Sequence, residues 1–423
     1  MRSHSHASSA LPAIGPHPTE RRDLPVTARS MSSSSSSPSP VRVAILADFP
    51  LSALESGAMG RGAGQGCTWL PQLAIAFEKQ TDFEIHWLIL DRGVRQTVVS
   101  QAMGQWFHRV PAVKFSLDIA LNYLPARHVL KQEIRRIRPH VVHAWGAELI
   151  YPAALADFKG PTVFSLQGSL TEYQRIGGLP KDWRWKKMVS TEPRFVRSAS
   201  IVTAESKWAS ERVRELKSDV DCRIVDYGVH PNFFATPWNP SPDDARVLYV
   251  GGGGYRKGVD VLLESLAAMP ERSWTVRFAG DAELEREIQA ARLPKTEYLG
   301  MLKWPELLKE LSKAWCLVVP TRADTGPTVV KEARVIGLPV VGTAHGGLRD
   351  YIRHGENGWI AAPLNAENIA TGLRTVMKSH ATALHMGRQH HASDLQAFDS
   401  SLTATKFTSI YRELVTRNLV VKS

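Results

Sequence analysis

Cysteine is scarce in this chain of 423 residues, with Cys67, Cys222 and Cys316 the three it has. They lie far apart and lack the short pair spacing that a zinc site or a disulfide framework needs. The sequence therefore predicts neither a disulfide-stapled fold nor a structural metal site. A reducing cytosol is the expected compartment, because free thiols persist there.

Long hydrophobic runs are also missing. No uncharged apolar stretch approaches the roughly 18 residues that a membrane-spanning helix needs. The N-terminus lacks the apolar core of a signal peptide. We therefore expect a cytoplasmic protein that is not an integral membrane protein.

Residues 1–40 lack the apolar side chains that would offset the entropy cost of ordering a chain. They are rich in Ser, Pro, His and Arg, and they include an unbroken serine run at 32–37. We interpret this segment as a disordered low-complexity tail. Met31 stands directly before the serine run, so both Met1 and Met31 are candidate translation starts.

From Val41 onward the composition is that of a folded protein, since the whole chain has 43% hydrophobic and 22% charged residues. A chain of this length is too long for one ordinary core and predicts two domains. Apolar runs at 41–46, 246–250 and 315–320 predict buried strands. Residues 235–245, rich in Pro, Asn and Asp, form the natural linker between the domains.

Asp324 and Glu332 flank the start of a predicted helix that follows the strand at 315–320. Pro327 suits the first position of this helix, and Gly337 suits its end. The loop before such a helix lies at the carboxyl edge of a parallel sheet, where ligands of open α/β folds bind. A phosphate would fit the helix N-terminus, and a vicinal diol would suit a carboxylate inside the helix.

An alternative interpretation treats both acids as ordinary surface groups. Asp324 would then be a solvated loop acid, and Glu332 would pair with Lys331 or Arg334. Two acids at a fixed spacing are by themselves weak grounds for a site.

The neighbouring segments favour the ligand site. Asp324, Glu332 and the Gly-Gly-x-x-acid turn at 346–350 resemble the donor-binding signature of retaining glycosyltransferases of family 4. This resemblance implies an α/β protein of the GT-B fold, with two Rossmann-like domains that face a deep cleft. It covers residues 41–415 and is strongest in the second half.

The glycine-rich turn at 251–254 and the Lys-Gly pair at 257–258 resemble the family's diphosphate-binding loop. The glycine-rich loop after the first strand resembles the family's loop that closes over the cleft beside the donor phosphates. The resemblance implies catalytic roles for Asp324, Lys257, Arg256 and Gln167. It implies donor binding by Gly64, Gly66, Gly253, Gly254, Met301, Gly326, Pro327, Thr328, Val329 and Glu332.

Three positions depart from the family pattern. Gln167 stands where many members have a histidine, although its amide can still donate a hydrogen bond. Glycine near Gly252 replaces a common arginine, and Arg256 is the nearby substitute. Pro327 replaces a glycine whose amide often helps to bind phosphate.

The resemblance also divides the chain. Residues 41–235 are expected to form an acceptor-side Rossmann-like domain, and residues 236–400 a nucleotide-sugar-binding domain. Residues 401–423 are expected to form a helix that crosses back to the first domain.

The net charge of +11 directs attention to one basic stretch. Tryptophans alternate with cations at Lys181, Trp183, Arg184, Trp185, Lys186 and Lys187. This composition suits an anionic membrane surface at the inner face of a membrane. The alternative is a helix whose tryptophans pack on the domain. No nucleic-acid partner is predicted, because no reading module accompanies the stretch.

The resemblance implies transfer of a sugar from a nucleotide-diphospho donor to a glycan, lipid-linked or small-molecule acceptor, with retention of anomeric configuration. The expected pathway is polysaccharide or glycoconjugate biosynthesis. No metal or cofactor is implied, since cations and a helix dipole stand in for the metal. Two alternatives stay open: a non-catalytic member that binds nucleotide sugar or membrane lipid within an assembly, and a nucleotide-sugar 2-epimerase of the same architecture.

Overall fold

The computed structural model describes residues 39–51 and 69–422, with the side chains of residues 421 and 422 left aside. The predicted tail, apart from its last two residues, lies outside the described residues, as do Gly64 and Gly66. Residues from Pro40 onward form one compact unit. That unit contains two separate sheets.

Within the described residues, the first sheet has eight strands in the order β3, β4, β2, β1, β5, β6, β7, β8. All neighbouring strands are parallel except β3 and β4, which form an antiparallel pair. The strands are β1 (Val41–Leu46), β2 (Phe83–Asp91), β3 (Val98–Ala102), β4 (Gln105–Pro111), β5 (Val141–Trp145), β6 (Thr162–Leu166), β7 (Ile201–Ala204) and β8 (Cys222–Ile224).

Helices connect these strands. They are α1 (Trp69–Glu78), α2 (Phe115–Ala120), α3 (Leu124–Ile137), α4 (Leu170–Arg175), α5 (Trp183–Ser198), α6 (Lys207–Leu216) and α7 (Pro231–Ala235), with a 3-10 turn at Tyr151–Asp157.

Strand β1 shows why this sheet is covered on both faces. Val43 and Ile45 belong to one buried cluster, whereas Ala44 and Leu46 belong to another. Successive side chains of a strand point to opposite faces, so each face has its own apolar layer. A strand that is buried on both sides reads as a continuous apolar run, which is why the sequence predicted it.

Within the described residues, the second sheet has six parallel strands in the order β11, β10, β9, β12, β13, β14. They are β9 (Arg246–Val250), β10 (Thr275–Ala279), β11 (Thr296–Gly300), β12 (Cys316–Val319), β13 (Val340–Thr343) and β14 (Gly358–Ala361). The strands predicted at 246–250 and 315–320 are therefore confirmed, the second with slightly shorter bounds.

Helices cover both faces of this sheet as well. The helices that follow β9 in the chain are α8 (Val259–Ala267), α9 (Ala282–Ala291), α10 (Trp304–Lys313), α11 (Thr328–Ile336), α12 (Ala366–Val376), α13 (His380–Arg388), α14 (His391–Ala397) and α15 (Ser400–Lys422), with 3-10 turns at Tyr255–Lys257 and Gly346–Asp350.

The last helix, α15, returns to the first sheet. Its Phe407 and Tyr411 are buried in the same cluster as Trp87 and Trp145. The Tyr411 hydroxyl lies 2.7 Å from Nδ1 of His143 on β5, and both groups are buried. The end of the chain is thus part of the core of the first half.

Candidate functional site

The loop at 321–327 joins β12 to α11 and carries Asp324. Pro327 occupies the N-cap of α11, one position earlier than predicted, and its φ of −64° suits that place. Gly337 ends the helix with a left-handed φ of 109°, as the sequence indicated. Strand, loop, helix and strand therefore follow in the predicted order.

Asp324 lies beside two cationic side chains, Lys257 and Arg256. Its Oδ2 is 2.8 Å from Lys257 Nζ and 3.8 Å from Arg256 Nη1, and its side chain is 13% exposed. Burial raises the pKa of Asp324, but the two cations outweigh burial and hold the pKa below its usual value. The Asp324 carboxyl is therefore ionised at neutral pH.

Gly258 allows Lys257 to reach Asp324. Its φ of 72° is left-handed, and a Cβ there would lie 1.9 Å from the carbonyl oxygen of Pro320. The turn after β9 can therefore press against the end of β12. Two loops from neighbouring strands meet at this point, as expected at the carboxyl edge of a parallel sheet.

A second glycine pair holds the backbone of Asp324. A Cβ at Gly346 would lie 2.3 Å from the carbonyl oxygen of Asp324, and the Gly347 N–H donates to that oxygen over 2.8 Å. The Gly-Gly turn of the sequence motif thus contacts the loop at 321–327, called the acid loop, directly.

Glu332 lies on α11, about one turn beyond the loop. Its residue is 8% exposed, and burial raises the pKa of its carboxyl to about 7, although the charge of Lys331 offsets part of that shift. The surface interpretation is wrong for Glu332. Its two neighbouring cations bind elsewhere, Arg334 to Asp394 and Lys331 to acids of the first half.

Lys331 joins the two halves of the molecule. Its ammonium is fully buried and lies 2.9 Å from Glu205 Oε2 and 2.7 Å from Asp226 Oδ1. The ring centroids of Tyr227 and Tyr351 lie 5.6 Å and 5.9 Å from it. Helix α11 is thereby tied to the end of β7 and to the chain that follows β8.

Gln167 follows β6, and its carbonyl oxygen accepts a hydrogen bond from the hydroxyl of Thr325. The Ser206 hydroxyl donates to the carbonyl oxygen of Thr325. A Cβ at Gly326 would lie 2.7 Å from Glu205 Oε2. The carboxyl edge of the first sheet therefore closes directly on the acid loop of the second.

Arg256 reaches across the same boundary. Its guanidinium carbon lies 4.7 Å from the ring centroid of Tyr173 on α4. Its Nη1 also donates to the carbonyl oxygen of Ala323 over 3.2 Å. The structure thus brings Asp324, Lys257, Arg256 and Gln167 together from three loops, which follow β12, β9 and β6.

The backbone amides of Gly253 and Gly254, in the 251–254 turn, are hydrogen-bonded to two carboxylates. The Gly253 N–H donates to Asp281 Oδ1 over 3.1 Å, and the Gly254 N–H donates to Glu287 Oε1 over 3.0 Å. Both acids belong to the start and body of α9, with Asp281 as its N-cap. The predicted contact of these two amides with a donor phosphate would require them to leave these carboxylates.

The remaining predicted donor contacts surround the same loop. Thr328 and Val329 open α11 and are partly exposed, so their N–H groups lie at a helix terminus with no preceding helical carbonyl. Met301 follows β11 and is 56% exposed. Gly64 and Gly66 lie outside the described residues, so the structure leaves them as predictions.

The basic stretch predicted as a surface opens α5. Trp183 is 53% exposed, whereas Trp185 packs against the buried cluster that contains Ala44 and Leu46 of β1. Asp182 caps this helix and also pairs with Arg184 over 2.9 Å. One tryptophan therefore faces outward and the other contributes to packing.

No group of three or more His, Cys, Asp or Glu residues that could hold a metal ion occurs in the described parts of the chain. Over the same residues, no helix combines the length and apolar character needed to cross a bilayer.

Sequence reasoning missed Tyr173, Glu205 and Asp226 at this site. Glu205 carries a signal that was available, since it follows the apolar strand at 201–204 and so lies at the carboxyl edge of a parallel sheet. Burial raises the pKa of Glu205, and the charge of Lys331 counteracts that shift. The partnership with Lys331 carries no local signal, because the two residues are far apart in the chain.

Comparison with known proteins identifies the family to which this chain belongs. The model of the family described as Glycosyltransferase Family 4 matches residues 72–233, and that of Glycosyl transferases group 1 matches residues 233–392. Glycogen synthase of Mycobacterium tuberculosis is 28% identical over 296 residues, which span 66% of this chain and 69% of that protein. A sulfoquinovosyl transferase of Arabidopsis thaliana is 26% identical over 299 residues, 65% of this chain and 56% of that protein.

Solved structures share the fold. Sucrose-phosphate synthase from Thermosynechococcus elongatus superposes with a TM-score of 0.72 at 18% identity, over 89% of this chain and 100% of that chain. Anabaena HepE, solved in complex with UDP and glucose, superposes with a TM-score of 0.65 at 15% identity, over 88% and 100%. These likenesses confirm the predicted class of two Rossmann-like sheets.

Proposed function

Since this chain belongs to the glycosyltransferases of family 4 with the GT-B fold, we propose that it transfers a sugar from a nucleotide-diphospho donor to an acceptor hydroxyl with retention of anomeric configuration. The acceptor is a glycan, a lipid-linked sugar or a small molecule. The observation that carries this proposal is the meeting of Lys257 and Arg256 with Asp324 directly before α11.

The two cations suit a departing diphosphate. In the free protein Asp324 neutralises Lys257 over 2.8 Å. A donor diphosphate would compete for the same ammonium and guanidinium, while the carboxylate of Asp324 would accept hydrogen bonds from sugar hydroxyls. Transfer from a nucleotide sugar separates charge between sugar and phosphate, so fixed cations at the phosphate stabilise the transition state more than the ground state.

Glu332 suits the ribose diol. It lies inside α11 and its carboxyl is buried, so desolvation raises the free energy of its charged form. Two hydroxyl donors from a vicinal diol would offset that cost, because charge-assisted hydrogen bonds are the stronger ones. This assignment explains an acid that would otherwise be an unfavourable choice at a buried helical position.

The donor that we test first is a UDP-sugar. HepE was solved in complex with UDP-glucose, and a trehalose-6-phosphate protein of E. coli with UDP-2-fluoro glucose. We propose that a uridine diphosphate fits the carboxyl edge of β9, β10 and β12 in the same way. We also propose that no metal takes part, because Lys257, Arg256 and the α11 N-terminus supply the positive charge. Treatment with EDTA should leave turnover unchanged.

Thermal stabilisation by a panel of nucleotide sugars tests the donor. A ligand that binds only the folded state raises the melting temperature by mass action. At a ligand concentration of one hundred times its Kd, the free energy of unfolding rises by about 3 kcal/mol. The anomeric proton of the product, read by NMR, then tests retention. Failure of every UDP-, GDP-, ADP- and CDP-sugar to stabilise the protein would overturn the proposal.

We further propose that residues 181–187, called the basic tryptophan segment, dock on an anionic membrane surface at the cytosolic face. Trp183 is largely exposed there, and Lys181, Arg184 and Lys186 are exposed beside it. An exposed tryptophan among cations suits the headgroup region of anionic lipids. Such docking would bring a lipid-linked acceptor to the site.

A further inference from the structure

Glu148 lies beside the site and is not among the predicted donor contacts. It follows the end of β5, where Gly146 turns the chain with a left-handed φ of 80°. The Gly146 N–H donates to the carbonyl oxygen of Ser165 on β6 over 3.0 Å. This turn directs the loop of Glu148 toward the loop that follows β6, at the carboxyl edge of the first sheet.

Glu148 and the site share a neighbour. A Cβ at Gly168 would lie 3.4 Å from Glu148 Oε2 and 3.2 Å from Cε2 of Tyr173. The ring of Tyr173 in turn carries the guanidinium of Arg256, which lies 3.8 Å from the Asp324 carboxylate. Glu148 therefore belongs to the first-sheet wall that faces Arg256 and Asp324.

The Glu148 carboxyl is incompletely satisfied. Its Oε2 is buried and has no hydrogen-bond partner within residues 39–51 and 69–422. Buried polar atoms in folded proteins are almost always hydrogen-bonded, so each exception calls for a physical explanation. A hydroxyl group of a bound molecule would provide the missing donor.

A neighbouring acid shows what a structural carboxylate looks like in this region. Glu192 on α5 is fully buried, and its two oxygens accept from the N–H groups of Leu170 and Thr171 over 2.8 Å and 2.7 Å. Glu192 thus holds the start of α4 in place. Glu148, in the same neighbourhood, keeps one oxygen for something other than the protein backbone.

We propose that Glu148 contacts the acceptor, with Oε2 accepting a hydrogen bond from the hydroxyl that attacks the donor sugar. This inference rests on the proposed function, because it presupposes a nucleotide sugar held by the second sheet. The donor is expected to contact Arg256, Lys257 and Asp324 in the loops that follow β9 and β12. The first-sheet wall is then the face left for the acceptor.

The charge environment of Glu148 agrees with this role. Burial raises its pKa to about 7, the carboxylate of Glu192 adds to the shift, and nearby backbone N–H groups and Arg256 oppose it. Tyr173 and Tyr227 also face this carboxyl, and both are neutral at neutral pH because burial raises the pKa of each. Glu148 thus becomes ionised across the neutral range and can take the proton of the acceptor hydroxyl. As that proton leaves, the bond from the acceptor oxygen to the anomeric carbon forms, the bond from that carbon to the diphosphate breaks, and the nucleoside diphosphate departs.

The test uses Glu148→Gln, which keeps the shape of the side chain and removes its charge. The donor is the nucleotide sugar that stabilises the protein most in the screen above. Water and octyl β-D-glucoside serve as acceptors, and the release of nucleoside diphosphate is measured at saturating donor. We expect the release rate with octyl β-D-glucoside to fall by about ten-fold or more, since a charge-assisted hydrogen bond is lost.

Two further readouts separate contact with the acceptor from a structural role. The donor Kd of Glu148→Gln should match that of the wild type, and its melting temperature should be no lower than that of the wild type. The wild-type rate should rise between pH 6 and pH 8 as Glu148 ionises, and the variant should lose that rise. Asp118→Asn is the matched control, because Asp118 is a buried acid on α2 whose pKa burial also raises.

The outcomes divide clearly. A Glu148→Gln protein that turns over at the wild-type rate, or one whose donor Kd weakens by the same factor as its rate, would overturn the inference and leave the proposed function standing. A wild type that binds the donor but releases no nucleoside diphosphate to either acceptor would overturn the proposed transferase activity, and this inference with it.

Discussion

Lys331 Nζ lies 2.9 Å from Glu205 Oε2, and this buried ion pair joins α11 of the second sheet to the end of β7 in the first. Asp226 completes the group from the chain that follows β8. Lys331 is fully buried, and Glu205 is 5% exposed. Removal of either partner from such a group leaves a charge in a medium that solvates it poorly.

Lys331→Met should destabilise the protein by about 3–5 kcal/mol, because Glu205 and Asp226 would lose their shared cation in a buried place. The free energy of unfolding in urea measures this effect. Lys378→Met serves as the matched control, since Lys378 is exposed. That control should stay within about 0.5 kcal/mol of the wild type.

A double variant separates the ion pair from side-chain packing. Lys331→Met combined with Glu205→Gln should recover part of the lost stability, since one of the two unpaired acids is gone. If the double variant is less stable than Lys331→Met alone by the full cost of a separate mutation, the two residues are not coupled and the pairing has no energetic role.

Glu332→Gln should change binding and stability in opposite directions. Loss of the charge-assisted bonds to a diol, worth roughly 1.5–3 kcal/mol each, should weaken nucleotide binding by about ten-fold or more. The same change removes a buried charge and should raise the stability of the free protein at pH 8. Calorimetric titration with UDP and urea unfolding measure the two effects.

The pH dependence of that stability has a definite sign. The folded-state pKa of Glu332 is about 7, above its usual value of 4.5. The folded protein therefore holds a proton more tightly, and stability falls as pH rises from about 4.5 to 7. The stability advantage of Glu332→Gln should be about 1 kcal/mol at pH 5 and about 3 kcal/mol at pH 8. Equal advantage at both pH values would contradict the assignment.

The acid loop could be predicted because its signals are consecutive in the chain. An apolar strand, Pro327 and Gly337 specify strand, loop and helix through local backbone preferences alone. The surface interpretation of Glu332 failed for the opposite reason. Its neighbours Lys331 and Arg334 find partners far away in the sequence, and local spacing carries no information about such contacts.

Contacts between the two halves of the molecule also could not be predicted from the sequence. The stacking of Arg256 over Tyr173 depends on how two separately folded sheets meet, and so does the hydrogen bond between Thr325 and Gln167. The antiparallel β3 was missed because its side chains are largely exposed, so no apolar run marks it. Because ligands bind at the carboxyl edge of a parallel sheet, every polar residue that follows a predicted strand is a candidate site residue. That criterion would have identified Glu148 and Glu205.

Lys257→Met should lower turnover more than donor affinity, because the ammonium is needed most as the diphosphate departs. We expect kcat to fall by about one hundred-fold, in the range found when one electrostatic group is removed from an active site. Lys257→Arg should recover part of the loss. Lys309→Met, which removes an exposed cation on α10, is the control. A fall in affinity with unchanged kcat would make Lys257 a binding residue only.

The exposed and the packed tryptophan of the basic tryptophan segment give the last prediction. Trp183→Ala should leave stability unchanged and weaken sedimentation with phosphatidylserine-containing vesicles, because Trp183 is 53% exposed. Trp185→Ala should destabilise the fold, since Trp185 packs against the buried cluster that contains Ala44 and Leu46. The quadruple change of Lys181, Arg184, Lys186 and Lys187 to Gln should lower vesicle affinity by about ten-fold or more, and added salt should do the same.

A matched quadruple variant decides whether position or total charge matters. Changing Lys309, Lys313, Arg374 and Lys378 to Gln removes the same charge from exposed positions on the second-sheet half. If both quadruple variants lose vesicle binding equally, attraction is a property of the net charge of +11 and not of the segment. If the wild type does not sediment with anionic vesicles at all, the segment is no membrane surface, and a lipid-linked acceptor would have to reach the site without its help.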